Sequence, residues 1–331
     1  MNTYPSQDHW FPVTQVRKLK KNKPLAVAYY GQSVVLFRDG NKIHALKDQC
    51  PHRGVPLSTG CLKQGALECP YHGWTFNGQG QLTSIPGDPH FRAPKHAFID
   101  TYAVCEAHGL IWLSLNQVKH NPPFIPQVHA SHIYSTQTGI IEANCVDIAE
   151  NFLDALHTHT VHTGIIRNNS PKRHACHATI THHANGYQAE YIEEKKQTGL
   201  VSRLFGSHII KGIGRIHASG ILELEYYSKK GIALSVVIYL VPETDKKTKL
   251  IVRTYAFGHH YLNYLKMWAM FPFQYIAFIQ DKRILETQQN ALNNNADFKP
   301  MITGTDLMRP YIIKAFQNDI QPTHREKQLL L

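Results

Sequence analysis

A chain of 331 residues is long enough for one large domain or two ordinary ones, and 43% apolar with 18% charged residues excludes a disordered protein. The formal charge of +11 would suit an acidic partner, but most basic residues are scattered. The one dense run (Arg17, Lys18, Lys20, Lys21, Lys23) reads as a solvated loop or as a docking patch for an acidic redox protein, and no nucleic-acid partner is expected. Met1 to Trp10 shows no basic segment leading into an apolar core, so no signal peptide is expected. The most apolar later stretch, Met267 to Ile279, falls short of the roughly 20 residues of a membrane span and contains Pro272. A cytoplasmic protein without a membrane span is the expectation, its six cysteines serving as metal ligands or buried thiols.

In chain order, residues 1–120 read as a β-rich domain. The runs 25–30 and 33–37 are separated by Gly31-Gln32, a hairpin signal; a turn at 38–41 leads into 42–46; further turn signals fall at 77–80 and 86–88; and 109–115 reads as a closing strand. The proline-dense stretch from Asn121 to Pro126 marks the domain boundary. In residues 121–331, Ala149 to Val161 has helical character, 178–193 and 216–241 contain strand-like runs, and Tyr261 to Asn295 reads as helical with a break near Pro272. Strands followed by segregated helices give an α+β fold: an all-β N-terminal domain, then a second domain with an antiparallel sheet flanked by helices.

Two Cys/His pairs stand out: Cys50-Pro-His52-Arg-Gly and, after a 16-residue gap, Cys69-Pro-Tyr-His72-Gly-Trp. Each lies beside proline and is followed closely by glycine, hence on a tight loop. Zinc would accept two thiolates and two imidazoles as a closed tetrahedral site. A Rieske [2Fe–2S] centre would accept them with both cysteines on one iron and both histidines on the other. Zinc fingers pair Cys with Cys at wider spacings, whereas here each loop contributes one of each, as two loops clamping a two-iron cluster need.

These motifs resemble the Rieske domains of bacterial ring-hydroxylating and demethylating oxygenases. The respiratory Rieske proteins carry an additional cysteine in each loop, where this chain has Val55 and Tyr71, so the resemblance implies a low-potential cluster, roughly −150 mV. About 80 residues on, the stretch Glu150-Asn-Phe-Leu-Asp154-Ala-Leu-His157-Thr-His159-Thr-Val-His162 resembles the catalytic motif of the same family. That motif implies a 2-His-1-carboxylate iron with open coordination positions. Histidines five residues apart would sit roughly 140° apart on an ideal helix, so the helix must end or bend between them. In a chain with 22 histidines His159 competes as a ligand, and the family pattern favours His157 with His162. Asp154 is expected on the same helical face as His157, and by resemblance it bridges His157 to the cluster histidine His72 of a neighbouring subunit. The segment Phe278-Ile-Gln-Asp281-Lys-Arg-Ile-Leu-Glu286 resembles the family's third-ligand segment, which implies Asp281 as the carboxylate. His174, His177, His182, His183, His259 and His260 read as surface or core histidines, and Cys105, Cys145 and Cys176 as small buried hydrophobes.

The resemblance implies a [2Fe–2S] cluster and a mononuclear Fe(II). These would activate dioxygen to hydroxylate or oxidatively demethylate a small organic, aromatic or heterocyclic substrate. No Gly-x-Gly-x-x-Gly follows a strand, so electrons are expected from a separate NAD(P)H-dependent reductase or ferredoxin. A cluster and iron of one subunit are expected to lie too far apart for fast transfer, a problem that the family solves with a head-to-tail homotrimer. Tyr264, Trp268, Phe271, Phe273 and Tyr275 are candidates for an aromatic pocket. The alternatives are aromatic cis-dihydroxylation, a Rieske electron-transfer protein with a dead second site, and a zinc-stabilised binding module.

Overall fold

The computed structural model describes residues 4–116, 133–168, 172–194, 199–200, 209–229, 231–256, 262–295 and 297–331. The chain divides into two compact units, residues 7–124 and residues 125–331 together with the first six. The 121–126 stretch read as a boundary, and His259 and His260, lie outside the described residues.

The N-terminal unit is all β. Strand β1 (Phe11–Gln15) is followed by β2 (Leu25–Tyr29), β3 (Gln32–Asp39), β4 (Lys42–Lys47), β5 (Cys61–Lys63), β6 (Ala66–Glu68), β7 (Thr75–Phe76), β8 (Leu82–Ser84), β9 (Ala103–Ala107) and β10 (Leu110–Ser114). They form three antiparallel sheets, ordered β1-β10-β9, β2-β3-β4 and β5-β6-β7-β8. The hairpin expected at Gly31-Gln32 is present, with Tyr30 and Gly31 both at positive φ. Val35, Phe37, Leu46, Leu57, Leu67 and Phe76 are fully buried in one cluster that also contains Cys50 and Cys69.

The second unit is an eight-stranded antiparallel sheet with helices. Its strands are β11 (Ile133–Ile141), β12 (Ala175–His183), β13 (Gly186–Glu193), β14 (Ile209–His217), β15 (Ile221–Ser228), β16 (Gly231–Thr244), β17 (Lys247–Ala256) and β18 (His324–Leu330), in the order β11-β17-β16-β15-β14-β13-β12-β18. The C-terminal strand β18 therefore closes the edge beside β12, and β11 closes the other. Among the described residues the helices of this unit are α1 (Cys145–Leu153), α2 (Leu262–Asn293) and α3 (Arg309–Phe316). Residues of α1, α3 and the sheet form one core in which Ile148, Leu153, Tyr187, Ile216, Leu240 and Phe316 are buried.

Three sequence expectations are corrected. The helix expected over Ala149–Val161 begins at Cys145 and stops at Leu153. Asn144 caps its start by accepting the Asp147 N–H at 2.9 Å, and Asp154 ends it in extended backbone (φ −84, ψ 128). Pro272 does not break α2, which runs through it, so the missing N–H is tolerated inside a long helix. Finally, Trp268, Phe271 and Tyr275 are 70%, 40% and 53% exposed, so they line no enclosed pocket; the side chain of Tyr264 lies outside those described. Among the described residues no helix is long and apolar enough to cross a membrane.

Helix α1 is fixed by more than its apolar face. Arg309 of α3 donates to Asp147 at 2.8 Å and also to Glu150, joining the two helices. Burial pushes the Glu150 carboxyl above its usual value, with Arg309 only partly offsetting it. Arg309→Leu should destabilise the protein by roughly 3 kcal/mol, the low end of the range for breaking a buried pair, because Arg309 keeps 26% of its side chain exposed. The shift in denaturant midpoint measures this, and a change under 0.5 kcal/mol, about the range of surface substitutions, would refute it.

Candidate metal centres

The first centre lies on two loops closed by the same hydrogen-bond pattern. Cys50 N–H donates to Val55 O at 2.9 Å and Gly54 N–H to Cys50 O at 2.8 Å; in the second loop Cys69 N–H donates to Trp74 O at 2.8 Å and Gly73 N–H to Cys69 O at 3.1 Å. Each loop needs a glycine at the same place because the backbone is left-handed there, with φ of +76° at Gly54 and +72° at Gly73. Buried Asp48 pins the base of the first loop by accepting Ser58 N–H at 2.7 Å and the Ser58 and Ser33 hydroxyls at 2.6 and 3.2 Å.

This arrangement brings all four sequence-chosen residues together. Cys50 and Cys69 are 2% exposed and within side-chain hydrogen-bonding reach of each other. The His52 and His72 rings have centroids 4.7 Å apart, and His72 and Tyr71 are exposed at the loop tip. His52 lies flat on Trp74, with centroids 4.4 Å apart and planes 1° from parallel, a support the sequence reading did not assign. His52 Nδ1 is buried without a hydrogen-bond partner. Burial, then His72 and Arg53, holds its pKa below the ordinary imidazole value, which favours the neutral, ligating form. Two adjacent buried thiols and two adjacent imidazoles, one with an orphaned buried nitrogen, fit a [2Fe–2S] cluster bound in the Rieske manner. Cys61 stands apart, exposed beside Glu68.

The second centre depends on how the chain leaves α1. Asp154 and His157 do not share a helical face, as spacing alone suggested, because α1 has already ended. Instead the Asp154 carboxylate accepts the backbone N–H groups of Leu156 at 2.8 Å and His157 at 3.0 Å, folding the chain into a 3₁₀ turn over His157–His159. Its Oδ2 then lies 3.4 Å from His157 Nδ1. The tighter turn and the loop after it carry His162 back towards His157, the departure from a regular helix that their spacing demanded.

Asp281 approaches from α2. Asp281, Leu285 and Gln289 recur every fourth residue as that helix's buried stripe, exposed by 4%, 3% and 6%. Asp281 Oδ1 is 3.1 Å from His162 Nε2 and 3.6 Å from His157 Nε2, and the two Nε2 atoms are 3.3 Å apart. Among the described residues this is the one group of three or more such side chains with ligand atoms close enough to share an ion. Asp281 Oδ1 is buried without a hydrogen bond, so its charge is left for a ligand shared with the two imidazoles. Edges of 3.1–3.6 Å suit donors about 2.1 Å from one cation. The donor set, two imidazoles and a carboxylate, suits non-haem ferrous iron.

Gln280, not singled out from sequence, is the partner of His162. The imidazole Nδ1–H donates to Gln280 Oε1 at 3.0 Å, leaving the Nε2 lone pair pointing inward. His159 faces elsewhere: it is buried near Arg167 and Glu193 and has no place among the three converging atoms. A buried His217–Glu223 pair at 2.5 Å, with the His183 ring tilted against His217 at 4.8 Å, was also missed. Burial lowers the His183 pKa to about 4 and keeps that ring neutral.

The chain is similar to known proteins in both units. Residues 9–103 match the model of the Rieske [2Fe–2S] domain, and residues 141–308 match that of the vanillate O-demethylase oxygenase C-terminal domain, which covers just over half of the chain. The chain therefore belongs to the Rieske non-haem iron oxygenases, a family of oxidoreductases, in the branch that the vanillate O-demethylase oxygenase C-terminal domain defines. It is 36% identical over 127 residues to the chloroplastic protein TIC 55 of Pisum sativum (38% of this chain, 23% of that protein). It is 31% identical over 167 residues to the methylxanthine N1-demethylase NdmA of Pseudomonas putida (47% of each). The alignments thus span less than half the length of either relative. In fold, it matches dicamba monooxygenase bound to dicamba with a TM-score of 0.77 at 21% identity, covering 95% of this chain and 98% of that one. The family's cofactors are a [2Fe–2S] cluster in the N-terminal domain and a mononuclear iron in the oxygenase domain.

Burial lowers the His162 pKa, but contact with Asp281 and the Gln280 hydrogen bond outweigh it, so the net shift is upward. An incoming metal must displace that proton, so affinity should fall as pH drops through this raised value. Competition with a chelator should show ferrous-ion binding weakening as pH falls below that raised value, by about tenfold per pH unit for each proton displaced. Affinity that stays flat there would exclude His162 as a ligand.

Proposed function

We propose that this chain is the oxygenase component of a two-part system that uses dioxygen to hydroxylate or oxidatively demethylate a small organic substrate of aromatic or heterocyclic type. The reading is carried by the convergence of His157 Nε2, His162 Nε2 and Asp281 Oδ1 within 3.6 Å. Cys50 and Cys69 would hold one iron of the cluster, His52 and His72 the other, and His157, His162 and Asp281 would hold the mononuclear iron. NdmA and dicamba monooxygenase, one a methylxanthine N1-demethylase and the other a monooxygenase by name, lend the family's direction to this substrate class. Electrons come from a separate NAD(P)H-dependent reductase, directly or through a ferredoxin.

The bound iron supplies the redox chemistry of dioxygen activation. The protein's own contribution is positional. Asp281 and His162, 4% and 2% exposed, keep water from one side of the centre. Gln280 holds His162 in the tautomer whose Nε2 is free to ligate. Asp154 orders the His157 turn and places a carboxylate 3.4 Å from His157 Nδ1. In the family's head-to-tail homotrimer its other neighbour is His72 of the partner subunit, which makes Asp154 the bridge between the two centres.

The purified protein should be red-brown and absorb between roughly 450 and 600 nm, with iron in excess of the two atoms of a Rieske cluster. A colourless protein containing zinc would overturn the cluster assignment. With a compatible reductase, a panel of N-methyl, O-methyl and unsubstituted aromatic compounds should contain one that triggers dioxygen uptake and yields a hydroxylated or demethylated product. Asp281→Ala should abolish that uptake with cluster absorbance intact. Asp154→Asn should retain both metal contents while slowing turnover by roughly 100-fold, the loss of about 2.7 kcal/mol of transition-state stabilisation. If Asp281→Ala keeps its mononuclear iron, the ligand assignment is wrong.

A further inference from the structure

The loop from residue 154 to residue 167 carries both candidate iron histidines, yet it is not a regular element. Its stability must come from elsewhere. Strand β13 supplies it through two residues of one face, Tyr191 and Glu193. Tyr191 donates its hydroxyl to Leu153 O at 3.0 Å, gripping the end of α1 just before Asp154. Glu193 accepts both terminal nitrogens of Arg167, at 2.6 and 2.7 Å, in a bidentate pair whose side chains are 12% and 7% exposed.

Arg167 carries this grip into the ligand turn. Its remaining nitrogen, Nε, donates to Thr158 Oγ1 at 2.9 Å, and Thr158 donates in turn to Ala155 O at 2.7 Å. The backbone of Arg167 closes the other end, since its carbonyl accepts Gly164 N–H at 2.7 Å and it pairs with Thr163. Its side chain and carbonyl therefore tie Thr158, between the two histidines, and Gly164, just after them, to strand β13. The third donor, Asp281, sits on a separate element, α2. Gln280 of α2 accepts from the His162 ring at 3.0 Å, which fixes that ring but not the backbone of the turn that carries both histidines.

We propose that Arg167, held by Glu193 and acting through Thr158, is the positioning residue that sets His157 and His162 at ligating distance from Asp281. This rests on the assignment of those three residues as the iron ligands. Arg167 touches neither metal nor substrate. Its effect is on iron affinity through the backbone of the turn. The planar guanidinium is required because one residue must satisfy a bidentate carboxylate and a hydroxyl together, in three directions that a lysine ammonium cannot reproduce.

The test compares ferrous-ion affinity by chelator competition with the denaturation midpoint of the iron-free protein. Cluster absorbance reports the integrity of the other unit. Thr158→Val removes the hydroxyl but leaves the Arg167–Glu193 pair intact. Its dissociation constant for ferrous iron should rise by roughly tenfold with little change in midpoint. Arg167→Met should raise it by as much as about 100-fold, and Arg167→Lys should recover only part of the loss. Thr158→Val and Arg167→Lys both binding iron like the natural protein would overturn the proposal, as would losses matched throughout by unfolding. If Arg167→Met does not fold, Thr158→Val alone decides. His162→Ala separates the two levels of the argument. If it binds iron unchanged, the ligand assignment fails. If it loses iron while the Thr158 and Arg167 variants do not, only the positioning role fails.

Discussion

A buried carboxylate facing one buried and one half-buried imidazole is an unstable arrangement unless something positive lies between them. Asp281 is 4% exposed, and its inward oxygen lacks a well-formed hydrogen bond while two ring nitrogens approach to 3.1 and 3.6 Å. Removing such a charge from water costs several kcal/mol, recovered only through close partners. A proton on His162 is one compensation, and its upward pKa shift reflects that. A divalent cation is a fuller one. Much of the second unit can be understood as scaffolding for this cluster: the buried stripe of α2, the early end of α1, the Asp154-capped turn and the grip of β13.

The two centres are built on different principles. The N-terminal loops are local. Each closes on itself through a cysteine amide and a left-handed glycine, and the two are brought together by a small sheet whose hydrophobic cluster includes both cysteines. The second centre is non-local: its histidines follow α1, its carboxylate arrives on α2 more than a hundred residues later, and strand β13 ties the loop down from a third place. Local loops tolerate neighbouring changes, whereas a centre assembled from three elements depends on long-range contacts at each of them.

Asp154 shows how one side chain can serve two levels at once. Its oxygens cap two backbone amides and so create the turn that presents His157. The same carboxylate sits 3.4 Å from His157 Nδ1, where it can orient the ring. Gln280 performs the neutral version of that task for His162, fixing orientation without adding charge. The two histidines thus receive different electrostatic support, one from a carboxylate and one from an amide.

By itself, the sequence determined what depends on residue type and short spacing. The Cys-x-His and Cys-x-x-His pairs with their glycines specify tight ligand loops, because only those residues supply the donors and the positive φ. The five-residue interval between His157 and His162 already required the helix to fail between them. The α+β class followed from the order of strand-like and helical runs, although β11, β17, β18 and α3 were not legible, their patterns being too short or too mixed. Resemblance, not spacing, selected His162 over His159 and chose Asp281. Only the tertiary structure gave physical reasons for that choice: His159 is turned away towards Arg167, and Asp281 is the inward residue of a helix stripe. The roles of Gln280, Thr158, Arg167 and Glu193 had no local signal either. Each depends on a hydrogen bond to a residue brought near by folding, and a chain of side-chain bonds between separate elements leaves no periodicity in the sequence to read.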